Sequence, residues 1–297
     1  VSVWRPSGPC TTRECVGSPD RSAGVPRRVL RLAGCLAVVM AGLLLAPPVR
    51  RWAGARAVPL LRVWVRLGAA ALGVRIRVLD LSGRAAAADG PELLVANHVS
   101  WLDVLLVQAV RPGRMLAKAE VAHWPVVGRA AGRWGTVFLD RERPRALPGA
   151  VAEVAGVLRG GGPAVVFPEG TTWCGARTGP FRAAFFQAAL DAGAPVRPMA
   201  VRYRLAGGRP ATVPAFVGDD DLVASLRRVV AVRGLVAELV LLPAIPPGAA
   251  ADRRELAAAA QRAVERVLSP DPRHRRVPDP VRGRVRTPVV SAADGRR

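Results

Sequence analysis

A chain of 297 residues is long enough for one large domain, or two small ones, with a substantial core. Its net charge of +22 is almost entirely arginine, because Lys118 is the only lysine, and that rules out a phosphate-binding G-x-x-x-x-G-K loop. Four cysteines at 10, 15, 35 and 174 form no C-x-x-C pair and no H-E-x-x-H occurs, so the sequence leads us to expect reduced thiols in a cytosol-facing protein and no metal site.

In chain order, residues 1–28 read as a disordered basic arm rich in Pro, Ser and Gly. Leu32 to Val49 then contains no charged residue, with Arg27, Arg28 and Arg31 before it and Arg50 and Arg51 after it. Eighteen helical residues rise about 27 Å, just short of the hydrocarbon core of a bilayer, and Pro47 and Pro48 should shorten the helix further. Arginines on both flanks, without a clear small-x-small cleavage site, favour a retained anchor over a removed signal and leave its orientation open. Val58 to Leu72 mixes Leu, Val and Trp64 with Arg62 and Arg66, which suits either an interfacial amphipathic helix or an ordinary helix covering a sheet. Residues 29–72 are therefore expected to form a membrane anchor and interfacial helix.

From 73 to 268, short β-branched runs alternate with longer helical ones. Strands are expected at Val74–Leu79, Leu93–Ala96, Met115–Ala117, Thr136–Leu139, Ala164–Phe167, Val196–Arg202 and Ala237–Leu242. Helices are expected at Trp101–Val110, Pro125–Arg133, Arg145–Arg159, Phe181–Ala192 and Asp252–Leu268. The pattern is that of an α/β domain with a central mixed sheet flanked by helices. Arg159-Gly160-Gly161-Gly162-Pro163 resembles a phosphate loop, but a helix C-cap explains it more simply. Residues 269–297 read as a second disordered basic tail, with eight Arg against three Asp over 271–297. Two basic ends suit an anionic membrane surface or nucleic acid, and the second lacks a reader, since Tyr203 is the only tyrosine and no aromatic-basic stripe appears.

Chemistry concentrates in Asn97-His98-Val99-Ser100-Trp101-Leu102-Asp103. Of the three histidines, at 98, 123 and 274, only His98 has a carboxylate at a suggestive spacing. Positions five apart diverge by about 140° on a helix, so the pair can meet only if His98 precedes the helix. Ser100 as N-cap, with Asp103 at the third helical position, provides that break. The same residues also allow a plain capping box with no catalytic role. Two further segments follow strands: Gly135 to Arg141, ending in an arginine fork suited to an anion, and Phe167-Pro168-Glu169-Gly170-Thr171-Thr172, where glycine permits close approach and threonines offer donors. Beyond the carboxyl ends of strands is where an α/β sheet collects ligands. Trp101, Trp124, Trp134 and Trp173 are expected to pack around the cleft or meet the interface, and His123 to lie on the surface.

In this order and spacing the segments resemble the glycerolipid (lysophospholipid) acyltransferase family. His98 and Asp103 match its H-x4-D signature; Gly135, Phe138 and Arg141 match a second block. Phe167-Pro168-Glu169-Gly170-Thr171 matches a third, and Val196-Arg197-Pro198-Met199-Ala200-Val201 is similar to a fourth. The resemblance covers about residues 90–205. It implies a glycerolipid acyltransferase-like fold and acyl transfer from acyl-CoA or acyl-acyl carrier protein to the hydroxyl of a lysolipid, foremost 1-acyl-glycerol-3-phosphate. It also implies that no further cofactor takes part. His98 would act as general base with Asp103 holding its tautomer, while Phe138, Arg141, Glu169, Gly170 and Thr171 would bind substrate. Partners would be a membrane lipid acceptor, the anionic membrane surface and the acyl carrier, without nucleic acid, at the cell membrane with the catalytic domain facing the cytoplasm. Many members carry arginine after Glu-Gly-Thr, where this chain has Thr172, so a phosphate would lack that cation or borrow Arg177 or Arg182. Lyso-ornithine lipid is an alternative acceptor that would use every catalytic feature named. Other classes left open are a Cys174-dependent hydrolase and a basic membrane-surface or nucleic-acid-binding protein without activity.

Overall fold

Leu93, Leu94, Val95 and Ala96 are all completely buried, so both faces of this run meet apolar layers and it must lie inside the sheet. The computed structural model describes residues 8–18, 22–52, 57–83, 90–123, 128, 132, 135–140 and 143–269. Seven strands form one sheet: β1 (Val74–Asp80), β2 (Leu93–Ala96), β3 (Arg114–Lys118), β4 (Val137–Leu139), β5 (Ala164–Val166), β6 (Val196–Leu205) and β7 (Leu235–Leu241). Their spatial order is β1-β7-β6-β2-β5-β3-β4. The five strands from β6 to β4 run parallel, and β7 and β1 run against them, which gives the expected mixed sheet.

Alternation along β2 sends Leu94 and Ala96 to one apolar layer and Leu93 and Val95 to the other. The first layer is closed by α3 (Ala57–Ala71), α4 (Leu102–Val110) and the helix Leu222–Ala231. The second is closed by the helices Leu147–Arg159, Phe186–Ala192 and Arg253–Leu268. Helix Arg253–Leu268 begins where Asp252 accepts from the N–H groups of Arg254 and Glu255, the capping expected from its sequence. Helix Leu222–Ala231 was not anticipated, although Asp221 caps it in the same way. β6 runs three residues beyond the expected Arg202, because β7 pairs with it antiparallel as far as Leu205 opposite Leu235. The helix expected at 125–133 lies outside the described residues, apart from 128 and 132.

The N-terminal region departs most from composition-based expectation. Residues 8–18 are not an unstructured arm: Thr11 caps the short helix α1 (Thr12–Cys15), Cys10 is buried in the first core layer, and the Gly17 N–H donates to Thr212 Oγ1. Helix α2 runs Val25–Trp52, starting within the expected arm and continuing through Pro47 and Pro48. The fixed proline φ is compatible with helix, so the two prolines cost backbone hydrogen bonds without ending it. Its Val25–Leu45 stretch is the one helix among the described residues long and apolar enough to cross a membrane, and only 11% of its apolar window is buried. Arg31 ties α2 to the domain, donating to the carbonyls of Val230 and Val232 at 2.7 Å. Trp64 of α3 donates to the Val38 carbonyl of α2, and Arg66 to that of Ala109 in α4. Val65 and Ala69 of α3 face inward while Val58, Leu60, Val63 and Leu67 stay exposed.

A buried ionic knot fixes the amino-terminal ends of β2 and β6. Glu92, just before β2, accepts from Arg111 after α4 at 2.5 Å and from Arg197 of β6 at 2.5 and 2.9 Å. All three residues are at most 9% exposed. Removing the carboxylate takes away the buried ion-pair partner that Arg111 and Arg197 share, so Glu92→Ala should destabilise the protein by about 3–5 kcal/mol, read as a drop in Tm or denaturation midpoint.

Candidate active site

β2 ends by handing its last hydrogen bonds to a side chain. Asn97 is buried, its Nδ2 donates to the Val201 carbonyl at 2.9 Å, and its Oδ1 accepts from the Val201 N–H at 2.8 Å. This amide clamp extends the β2–β6 pairing by one step and fixes where the next residue, His98, leaves the sheet. The chain then turns through Val99 and Ser100 into α4.

Asp103, the second residue of α4, lies under that turn and is wholly buried, while the His98 side chain is 21% exposed. Asp103 Oδ2 accepts from His98 Nδ1 at 2.8 Å, from the Val99 N–H at 2.6 Å and from the Ser100 N–H at 2.8 Å. Oδ1 accepts from the Tyr203 hydroxyl at 2.5 Å. With Nδ1–H bonded to a carboxylate, the tautomer set by the network leaves Nε2 with its lone pair free. The ring is held flat against Phe167, the centroids 4.1 Å apart and the planes 11° from parallel. His98 therefore precedes the helix, as convergence with Asp103 requires.

The helix start differs in detail from the expected capping box. Trp101 occupies the cap position with helical dihedrals, and Ser100 Oγ accepts from the Leu102 N–H at 3.3 Å. The reaching-back half of the box is present, because Asp103 binds the Ser100 N–H. One carboxylate thus begins the helix and aligns the imidazole.

The second turn follows β5, the parallel neighbour of β2, so both turns emerge on one sheet edge. Glu169 is buried; its Oε2 accepts from the His98 N–H at 2.5 Å and its Oε1 from the Gly179 N–H at 2.8 Å. Burial pushes its carboxyl up to about 8, against the pull of those two N–H donors and with a small further rise from the Asp103 charge. Both oxygens are spent on backbone, so this side chain locks the two turns together; its geometry is that of a brace. Gly170 adopts φ +73°, a conformation that favours glycine, and its N–H closes the turn onto the Phe167 carbonyl. Thr171 is half-buried on the same turn. The Thr172 hydroxyl donates to the Phe216 carbonyl, and the Trp173 N–H to the His98 carbonyl at 2.8 Å.

Phe138 lies on the edge strand β4, two strands from β5, with Val137 and Leu139 turned into the core on either side of it. At about 4.8 Å per strand, this places it roughly 10 Å across the sheet from the β5 end. Arg141 lies outside the described residues. The sequence did not single out Tyr203 as a site residue. Its signal was available in the alternation of Met199, Val201 and Tyr203 on the face of β6 that carries the first core layer. Nor did it anticipate that Cys10, Cys15 and Cys174 converge, their sulfurs all within 4.8 Å of one another. The expectation of no clustered ligand set fails because more than 150 residues of chain separate Cys15 from Cys174.

A histidine with a free nitrogen at the sheet edge, backed by a buried carboxylate, is equipped to take a proton from a hydroxyl. Comparison with known proteins shows the family. A family model described as Acyltransferase matches residues 78–202. The chain is 40% identical over 252 residues to the lyso-ornithine lipid O-acyltransferase of Pseudomonas aeruginosa, covering 82% of this chain and 93% of that protein. It is 32% identical over 210 residues to a 1-acyl-sn-glycerol-3-phosphate acyltransferase of Neisseria gonorrhoeae, covering 71% and 82%. The crystal structure of the Thermotoga maritima 1-acyl-sn-glycerophosphate acyltransferase PlsC shares the fold, with a TM-score of 0.57 over 80% of this chain and 96% of that one at 19% identity. The chain belongs to the PlsC-like lysolipid acyltransferase family, and it is an acyltransferase acting on a lysolipid.

Tyr203 offers a test of the carboxylate's role. Burial and the neighbouring Asp103 charge hold its hydroxyl well above its ordinary range, so it remains a donor. Tyr203→Phe removes a hydrogen bond to a charged group, about 1.5–3 kcal/mol. Expressed in the transition state, that is a roughly ten- to hundredfold fall in kcat with KM little changed, measured by steady-state acyl transfer.

Proposed function

We propose that the protein transfers an acyl group from acyl-CoA or acyl-acyl carrier protein to the hydroxyl of lyso-ornithine lipid, with His98 as general base. The observation that carries the choice of acceptor is the 40% identity to the Pseudomonas lyso-ornithine lipid enzyme, against 32% to the Neisseria enzyme named for 1-acyl-glycerol-3-phosphate. Thr172 supports it. Where many relatives place an arginine suited to phosphate, this chain has a neutral hydroxyl already donated to Phe216. An ornithine head group carries a carboxylate and an amine that cancel, and asks for less positive charge than a phosphate.

In this reading His98 Nε2 accepts the hydroxyl proton as the lipid oxygen attacks the thioester carbonyl. The O–C ester bond forms, the C–S bond breaks, and the proton passes from His98 to the departing thiolate. Asp103 holds the tautomer and stabilises the imidazolium, as in triad logic without a serine. The family resemblance assigns Phe138, Arg141, Gly170 and Thr171 to substrate binding, and Glu169 acts by holding the His98 turn.

Helix α2, with Val29, Leu36 and Leu44 exposed, serves as a membrane anchor, and the exposed apolar side of α3 rests in the interface. The catalytic domain then faces the cytoplasm, where acyl carriers reside, and draws its lipid acceptor sideways from the bilayer. Basic flanks favour an anionic surface.

The test is an acylation assay of the purified full chain against lyso-ornithine lipid and lysophosphatidic acid, with His98→Ala alongside. The expected result is a higher kcat/KM for lyso-ornithine lipid and loss of turnover by at least about a thousandfold in His98→Ala. A preference for lysophosphatidic acid would overturn the acceptor assignment, and an active His98→Ala would overturn the mechanism.

A further inference from the structure

The thiols of Cys10, Cys15 and Cys174 form a cluster that acyl transfer does not use. Cys10 and Cys174 are each 3% exposed, and Cys15 is half-buried. Their three sulfurs lie within 4.8 Å of one another. Cys10 precedes and Cys15 ends the single turn of α1, which Thr11 caps. Cys174 arrives from the loop that follows the Glu169 turn. Two ligands from a tight local turn and a third from a distant loop is a common construction for a thiolate metal site.

We propose that Cys10, Cys15 and Cys174 bind a thiophilic metal ion of the zinc type, with solvent in a fourth position. A sulfur-only donor set excludes magnesium and calcium and selects soft or borderline cations. Zinc–sulfur bonds of about 2.3 Å in a tetrahedron place sulfurs roughly 3.8 Å apart, so the cluster need contract by no more than about 1 Å. With Cys35 on α2, away from the cluster, the described chain also carries its own internal control.

The consequence is mechanical. Segment 8–18 crosses the loops beyond the sheet, and Cys174 adjoins Trp173, whose N–H holds the His98 carbonyl. A bound ion would pin the stretch leading into α2 to the loop that supports the histidine turn. The site is a positioning device, and no step of acyl transfer passes through it.

The experiment is metal analysis of the full chain, purified under reducing conditions and reconstituted with Zn2+, by mass spectrometry of the metal and by Co2+ substitution. One zinc per chain is expected in the wild type and in Cys35→Ser, with the metal lost in Cys15→Ser and Cys174→Ser. Wild-type protein loaded with Co2+ should show the bands of tetrahedral thiolate coordination, a measurement that needs no variant to fold. Zn2+ should raise the Tm of the wild type and leave that of Cys174→Ser unchanged. A stoichiometry far below one with no cobalt spectrum would overturn the proposal, as would retention of zinc by Cys174→Ser. Loss of two free thiols to a disulfide in the isolated protein would also overturn it and assign the cluster to redox chemistry.

Discussion

The buried carboxylate of Asp103 is the group on which the rest of the site depends. An ionised carboxyl with no solvent exposure must have its lone pairs filled, and four donors do so: His98 Nδ1, the N–H groups of Val99 and Ser100, and the Tyr203 hydroxyl. Those donors come from the strand-to-helix turn and from β6. Satisfying the carboxylate therefore forces the turn into one shape. The imidazole orientation is a by-product of the same accounting.

Around that centre the sheet supplies position and the helices supply context. The Asn97 clamp sets the exit point of β2, Glu169 ties the His98 turn to the turn after β5, and Phe167 limits rotation of the ring. The ionic knot of Glu92, Arg111 and Arg197 braces the other end of the same strands. Helices α2 and α3 leave apolar side chains uncovered on the outside while bonding to the domain through Arg31, Trp64 and Arg66. In the proposed function this combination lets an acceptor held in a bilayer bring its hydroxyl to a fixed base.

The sheet and its flanking helices were legible because β-branched runs and 3.6-residue periodicity are local signals. The His98–Asp103 pair was legible for the same reason, because both ends of it lie in a single turn. What escaped depends on contacts between distant residues. Tyr203 joins Asp103 across 100 residues, Glu169 reaches His98 across 71, and the three thiols meet only when the N-terminal segment packs back on the domain. Composition misjudged that segment, since proline, serine and arginine suggest solvation while Cys10 is buried beside the sheet. The length of β6 was misread because antiparallel pairing with β7, a partner thirty residues on, extends it.

The central claim is that the Asp103 carboxylate makes His98 a base by fixing its tautomer. Asp103→Asn measures this most directly: the amide is nearly isosteric, and it can present an N–H to His98 where the carboxylate accepts one. Turnover of a lysolipid acceptor with acyl-CoA, followed alongside Tm, should fall by roughly a thousand- to ten-thousandfold in a variant that still folds. Turnover within a few-fold of the wild type would contradict the account, because His98 would then be acting without the carboxylate.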